Sequence, residues 1–139
     1  CCTMKYLITV LSTAALLNGC VTNNAKFEAP RIVVDGDQLE QRDDLHYFED
    51  KPFTGVTVEK YEKGQKWREV TYKDGKMDGL GTSWWPNGQK LNEGNRKDGK
   101  RDGLWTTWYG DGEKWAEATF KDGKVISSKR WEKDGNLKY

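Results

Sequence analysis

Cysteine is scarce, and the little there is lies at one end: Cys1, Cys2 and Cys20 are the only three in 139 residues. A disulfide framework or a multi-cysteine zinc site is therefore excluded for everything after position 20. Histidine is rarer still, with His46 alone. Charge of one sign is missing too: 23 basic residues stand against 22 acidic ones, which argues against a basic face for nucleic acid. Apolar residues make up 35% of the chain and its mean hydropathy is −0.93, too little for a large aliphatic core. Such a composition would suit disorder, but for the 12% aromatic content and its seven tryptophans.

The one long apolar run, Tyr6 to Leu17, follows Met4 and Lys5. It is shorter than the ~20 residues that span a bilayer and has the anatomy of a secretory signal, with Cys1 to Thr3 an unexplained leader. The run ends in Leu17-Asn18-Gly19-Cys20, which resembles a bacterial lipobox. That resemblance implies a signal peptide over 1–19 and a diacylglycerol thioether and N-acyl chain on Cys20. Several acyl chains anchor stably, since each buried CH₂ contributes about 0.8 kcal/mol. Cleavage before Cys20 removes 19 residues and leaves 120, with 22 basic and 22 acidic side chains. Val21 after the cysteine resembles outer-membrane sorting, and the polar stretch to Pro30 reads as a tether. The expected localisation is the cell envelope, lipid-anchored at the outer membrane.

A repeat fills the remainder, 31–139. Lys-Asp-Gly-Lys recurs at 73–76, 97–100 and 121–124, a strict period of 24. Gly55, Gly79 and Gly103 keep that register, as do Tyr61/Trp85/Tyr109, Gly64/Gly88/Gly112, Lys66/Lys90/Lys114 and Glu69/Glu93/Glu117. A partial fourth copy matches Trp131 and Gly135 to Trp108 and Gly112 at a spacing of 23, implying a one-residue deletion. Each unit reads as two short strands and two turns, which predicts an all-β fold: an elongated antiparallel meander of β-hairpins, largely single-layer.

Asn87-Gly88 predicts a two-residue hairpin loop with both residues at positive φ. Trp85 then faces Lys90, Trp84 faces Leu91 and Thr82 faces Glu93. The same register sets Tyr109 against Lys114, Trp108 against Trp115, Tyr61 against Lys66 and Glu59 against Arg68. A two-residue Asp-Gly loop would put Lys73 opposite Lys76, so those turns are expected to be wider. Alternation places Leu80, Thr82 and Trp84 on one face with Trp85 on the other; Leu104 and Trp108 likewise oppose Trp105 and Tyr109.

Residues 47–139 resemble the MORN-variant repeat. The markers are Lys-Asp-Gly-Lys-x-Asp-Gly-Leu at 73–80 and 97–104, Trp-Trp-Pro-Asn-Gly-Gln-Lys at 84–90, Asn92-Glu93-Gly94, and Lys51 to Val56 at the entry. Proteins of this type are commonly called toxin–antitoxin system YwqK-family antitoxins, and many look like lipoproteins. The resemblance implies a β-hairpin repeat used for interaction.

No constellation for catalysis emerges. His46 has only Asp43 and Asp44 adjacent in sequence and reads as a strand or turn residue. The glutamate column reads as a solvated or Lys-paired ladder, and the Asp-Gly turns lack the spacing of calcium ligands. No cofactor or metal is expected. The candidate binding surface is aromatic: Tyr61, Trp84, Trp85, Trp105, Trp108, Tyr109 and Trp115. The leading expectation is a non-enzymatic, membrane-anchored module for a protein partner, with an antitoxin or immunity role against a toxin as its sharpest form. The alternative is a module that binds surface glycan or cell wall on the tryptophan row. An envelope enzyme is a third reading that lacks a site.

Overall fold

The structure, a computed structural model, describes residues 31–138. The expected signal peptide, Cys20 and the tether lie outside the described residues. The chain forms strands β1 (Val33–Asp35), β2 (Glu40–Arg42), β3 (Leu45–Phe48), β4 (Lys51–Pro52), β5 (Gly55–Lys60) and β6 (Lys66–Lys73). Strands β7 (Lys76–Trp84), β8 (Lys90–Lys97), β9 (Lys100–Trp108), β10 (Lys114–Lys121), β11 (Lys124–Trp131) and β12 (Leu137–Lys138) follow. Among the described residues there is no α-helix, only a short 3₁₀ turn at Gly36–Gln38. One nine-stranded sheet runs β1-β5-β6-β7-β8-β9-β10-β11-β12, antiparallel apart from the parallel β1–β5 pair. This is the elongated all-β meander of hairpins that the 24-residue period predicts.

The two kinds of turn are exchanged relative to expectation. Asp74-Gly75, Asp98-Gly99 and Asp122-Gly123 all have positive φ at both residues. Lys73 pairs directly with Lys76, Lys97 with Lys100 and Lys121 with Lys124. These are the two-residue loops, and the like-charged pairs at their base are tolerated because the lysine heads reach solvent. At Pro86-Asn87-Gly88-Gln89 only Gly88 has positive φ. There the Trp85 carbonyl accepts from the Gly88 N–H at 2.9 Å and the Trp85 N–H donates to the Gln89 carbonyl at 2.8 Å. That pattern is a turn with a glycine bulge, and Pro86 suits its second position. The bulge slips the register by one: Trp84, not Trp85, faces Lys90, and Trp108, not Tyr109, faces Lys114. Lys60, not Tyr61, faces Lys66; Thr82–Glu93 and Glu59–Arg68 pair as expected.

A second irregularity explains the Asp-Gly-Leu motif. Between the pairs Val70–Gly81 and Tyr72–Met77, β7 carries two more residues than β6; β9 does the same against β8 between Trp105–Gly94 and Asp102–Asn95. Gly79 and Gly103, at φ 109° and 81°, sit in these bulges, where a side chain at Cβ would be strained. In the last copy β11 carries only one extra residue, Ile126, against β10. The one-residue deletion is therefore located: it shortens the bulge.

Among the described residues, two layers exist only at the first end. There the small sheet β2-β3-β4 meets the main sheet, and Leu39, Phe48 and Met77 pack against Val34, Phe53, Val70 and Tyr72. His46 joins here, its ring 5.0 Å from that of Tyr72 and its backbone N–H donating to the Gly75 carbonyl at 2.8 Å. The His46 position is thus a strand residue at the domain entry.

Candidate interaction surface

Five of the seven candidate aromatics form one ladder along the bulged-loop edge. The Tyr61 hydroxyl donates to the Trp84 carbonyl (2.8 Å), the Trp85 indole N–H to the Trp108 carbonyl (3.3 Å), and the Tyr109 hydroxyl to the Trp131 carbonyl (3.2 Å). Each bond crosses from one hairpin to the next and satisfies a strand-end carbonyl. Lys66, Lys90 and Lys114 place their ammonium groups 5.1, 5.7 and 5.3 Å from the rings of Trp84, Trp108 and Trp131. The same lysines pair with Glu69, Glu93 and Glu117 at 2.7, 2.6 and 2.5 Å. These exposed pairs contribute little singly, but they hold each lysine over its ring. Trp115 is 41% exposed, beside Tyr109 and under Arg130. Trp67, in the same column and against Tyr61, was not legible as part of the row.

The opposite edge is stitched as well. Gly75, Gly99 and Gly123 donate their N–H to the carbonyls of Phe53, Met77 and Arg101 at 2.8 to 2.9 Å. Thr54 Oγ1 and Asp78 Oδ2 accept the N–H of Asp74 and Asp98 at 2.8 and 3.1 Å. Asp102 caps Asp122 likewise, and its hydrogen bond from Lys121 holds its carboxyl below the usual range. The fixed columns of the repeat thus serve contacts between successive hairpins.

Trp105 lies apart from the ladder. It is only 8% exposed and lies over Gly94, its indole N–H donating to the Asn95 carbonyl at 2.9 Å and its ring 6.4 Å from that of Phe120. Its column, with Thr57 and Gly81, differs from that of Trp84 and Trp108. Its surroundings are what sequence reading missed. Pairing carries one face across the sheet through Val70, Gly81, Gly94, Trp105 and Ala118, and a parallel row through Arg68, Ser83, Asn92, Thr107 and Ala116. Columns that change between copies lie on this face: Arg68/Asn92/Ala116, Val70/Gly94/Ala118 and Tyr72/Arg96/Phe120. Phe53/Met77/Arg101 and Thr57/Gly81/Trp105 complete the set.

In the first copy this face, with Val34, Phe53, Val70 and Tyr72 on it, is covered by Leu39 and by Phe48 of the small sheet. Further along it is open, with a hollow of about 110 Å³ bordered by Asn92, Trp105, Thr107, Ala116 and Phe120. Arg96 and Arg101 pair directly across the strands, with their guanidinium carbons 5.2 and 4.4 Å from the Trp105 centroid. Burial lowers the Arg96 pKa, and the nearby charges of Arg101 and Arg68 lower it further. Burial likewise raises that of the Tyr72 phenol. Among the described residues no cluster of His, Cys, Asp or Glu could hold a metal, and no helix is long and apolar enough to cross a membrane.

Comparison with known families identifies the MORN repeat variant in three successive segments, residues 53–74, 77–98 and 101–122. No curated protein and no solved structure matches the chain significantly. The three segments each span one hairpin, β5–β6, β7–β8 and β9–β10.

Proposed function

We propose that this chain, which carries three MORN-variant repeats, is a non-enzymatic, lipid-anchored module of the bacterial envelope that binds a protein partner. Repeats of this kind are commonly protein- or membrane-interaction modules. The observation that carries the protein reading is the division of labour between columns: the fixed ones lock hairpins together, while the variable ones share one face, partly uncovered. A scaffold that presents varied side chains on an extended sheet suits a macromolecular partner. The aromatic ladder, the basis of the glycan alternative, is largely engaged by its own lysines and carbonyls. The Leu17-Asn18-Gly19-Cys20 motif supports the anchor, and an antitoxin or immunity role is the form of partner binding that the family resemblance suggests.

The test combines metabolic labelling with a fatty-acid analogue and cross-linking in native membranes, comparing wild type with Cys20→Ala. The expected result is label on the wild type alone, membrane retention that needs Cys20, and a defined protein cross-linked to it. An unlabelled wild type, or membranes that yield polysaccharide rather than protein, would overturn the anchor or the partner class respectively.

A further inference from the structure

Two arginines stand where the scaffold asks for something else. Position 96 corresponds to Tyr72 and Phe120 in the flanking copies, and position 101 to Phe53 and Met77. In the first copy those residues are buried apolar packing. Arg96 and Arg101 face each other directly across β8 and β9, and like charges so placed destabilise a sheet. Several other cations on this sheet are matched by acids: Arg68 by Glu59 at 3.2 Å, Lys121 by Asp102 at 3.2 Å, and Lys66, Lys90 and Lys114 by the glutamate column. Among the described residues neither Arg96 nor Arg101 meets a carboxylate; Arg96 donates to the Gly99 carbonyl at 3.2 Å, and Arg101 lies against Trp105 and Phe120.

The floor beside them is made of small residues. Gly94 is already covered by Trp105, but Ala116 and Ala118 lie on this face beyond the ring, leaving room for an incoming backbone. The first copy shows that this face accepts extended chain, since the small sheet, carrying Phe48, packs there against Phe53, Val70 and Tyr72.

We propose that Arg96 and Arg101, supported on the Trp105 ring, form a recognition site for a carboxylate on an extended acidic segment of a protein partner. The segment's apolar side chains would lie in the hollow between Trp105, Ala116 and Phe120. A guanidinium pair matches the planar geometry of a carboxylate in a way that lysines do not, and the ring beneath fixes both forks. Binding removes the repulsion that the free sheet carries. The site deepens the partner-binding reading above and rests on it.

The experiment uses the full chain and two synthetic peptides, Glu-Ser-Leu-Ser-Leu, whose Glu and Leu side chains share one side of an extended chain, and the same sequence with Gln for Glu. Binding is followed by NMR at the Trp105 indole N–H and the Arg96 and Arg101 Nε–H signals. The acidic peptide is expected to shift these signals, with the Gln peptide at least about tenfold weaker. Arg96→Gln with Arg101→Gln should weaken the acidic peptide by about tenfold or more, and Arg96→Lys with Arg101→Lys should fall between. Lys63→Gln with Lys124→Gln removes the same charge away from this face and should leave affinity within about twofold, and each variant's amide spectrum checks its fold. Equal binding of the Gln peptide, or equal loss in the lysine control, would overturn the site. So would arginine-dependent binding to phosphatidylglycerol vesicles without peptide binding. If the membrane cross-linking captures its partner equally with both arginines replaced, this site fails and the partner-binding reading stands.

Discussion

Gly94 offers a controlled measure of how this thin sheet is packed. A Cβ added there would stand 2.3 Å from Trp105 Cδ2 and 2.5 Å from Cγ and Cε2, against an ordinary carbon contact of about 3.5–4.0 Å. The indole would have to move by an ångström or more. Its bond to the Asn95 carbonyl at 2.9 Å and its contact with Phe120 oppose that. Overpacking of this kind costs about 1–3 kcal/mol, rising towards about 3–5 kcal/mol if the ring is expelled. Gly81 is the matched control: it pairs with Gly94 in the same row, and its added Cβ would meet only backbone oxygens at 3.8 and 3.9 Å. Gly81→Ala should be neutral or gain up to about 1 kcal/mol from reduced chain entropy. For a domain of about 100 residues, each kcal/mol moves Tm by roughly 4–8 °C. Urea and thermal unfolding by far-UV circular dichroism, with hydrogen exchange to localise fraying between neighbouring repeats, would compare the two variants. Gly94→Ala melting with Gly81→Ala would refute the claim that Trp105 is packed against Gly94.

The ladder and the stitched turns make further predictions. Tyr109→Phe removes the hydroxyl that satisfies the Trp131 carbonyl and should cost about 0.5–1.5 kcal/mol, seen as faster amide exchange confined to β11 and β12. Asp102 has a folded pKa held down by Lys121 and by the Asp122 N–H, so its contribution is present above the unfolded value of about 3.9 and is lost as pH falls through its lower folded value. Asp102→Asn should therefore flatten the acid limb of a Tm-against-pH curve below about pH 4 and leave its alkaline limb unchanged; parallel curves would refute that role.

Periodicity made the sheet legible because every copy repeats both a residue and its partner. Lys66 falls on Trp84 as Lys90 falls on Trp108, so the columns could be read as strands and turns without knowing which side chains meet. Turn geometry was less accessible. Asn-Gly and Asp-Gly both suit two-residue loops, and the choice rests on Pro86 and on the ladder bonds that hold the wider loop, such as Asn87 Nδ2 to the Gly110 carbonyl at 2.6 Å. The covered first end was not visible in the period because residues 31–52 do not repeat. Trp105 misleads because it resembles the tryptophans of the ladder, while its column companions, Thr57 and Gly81, show that it belongs to another part of the sheet.

The arginine pair was hidden by the same exchange of turns. Taking Asp98-Gly99 as the two-residue loop sets Lys97 opposite Lys100 and hence Arg96 opposite Arg101. A wider loop moves the two apart. Counting back from Gly94–Trp105 without the bulge fails as well, because uninterrupted pairing would set Arg96 against Gly103. Only the two extra residues of β9 bring Arg101 back across from Arg96. Gly103, at φ 81°, therefore has a second consequence beyond relieving backbone strain. It sets the register that places two guanidinium groups beside one tryptophan, in the middle of a face whose other columns vary. Repetition identifies the scaffold; departures from repetition, once the bulges are counted, mark where this scaffold has been given something to hold.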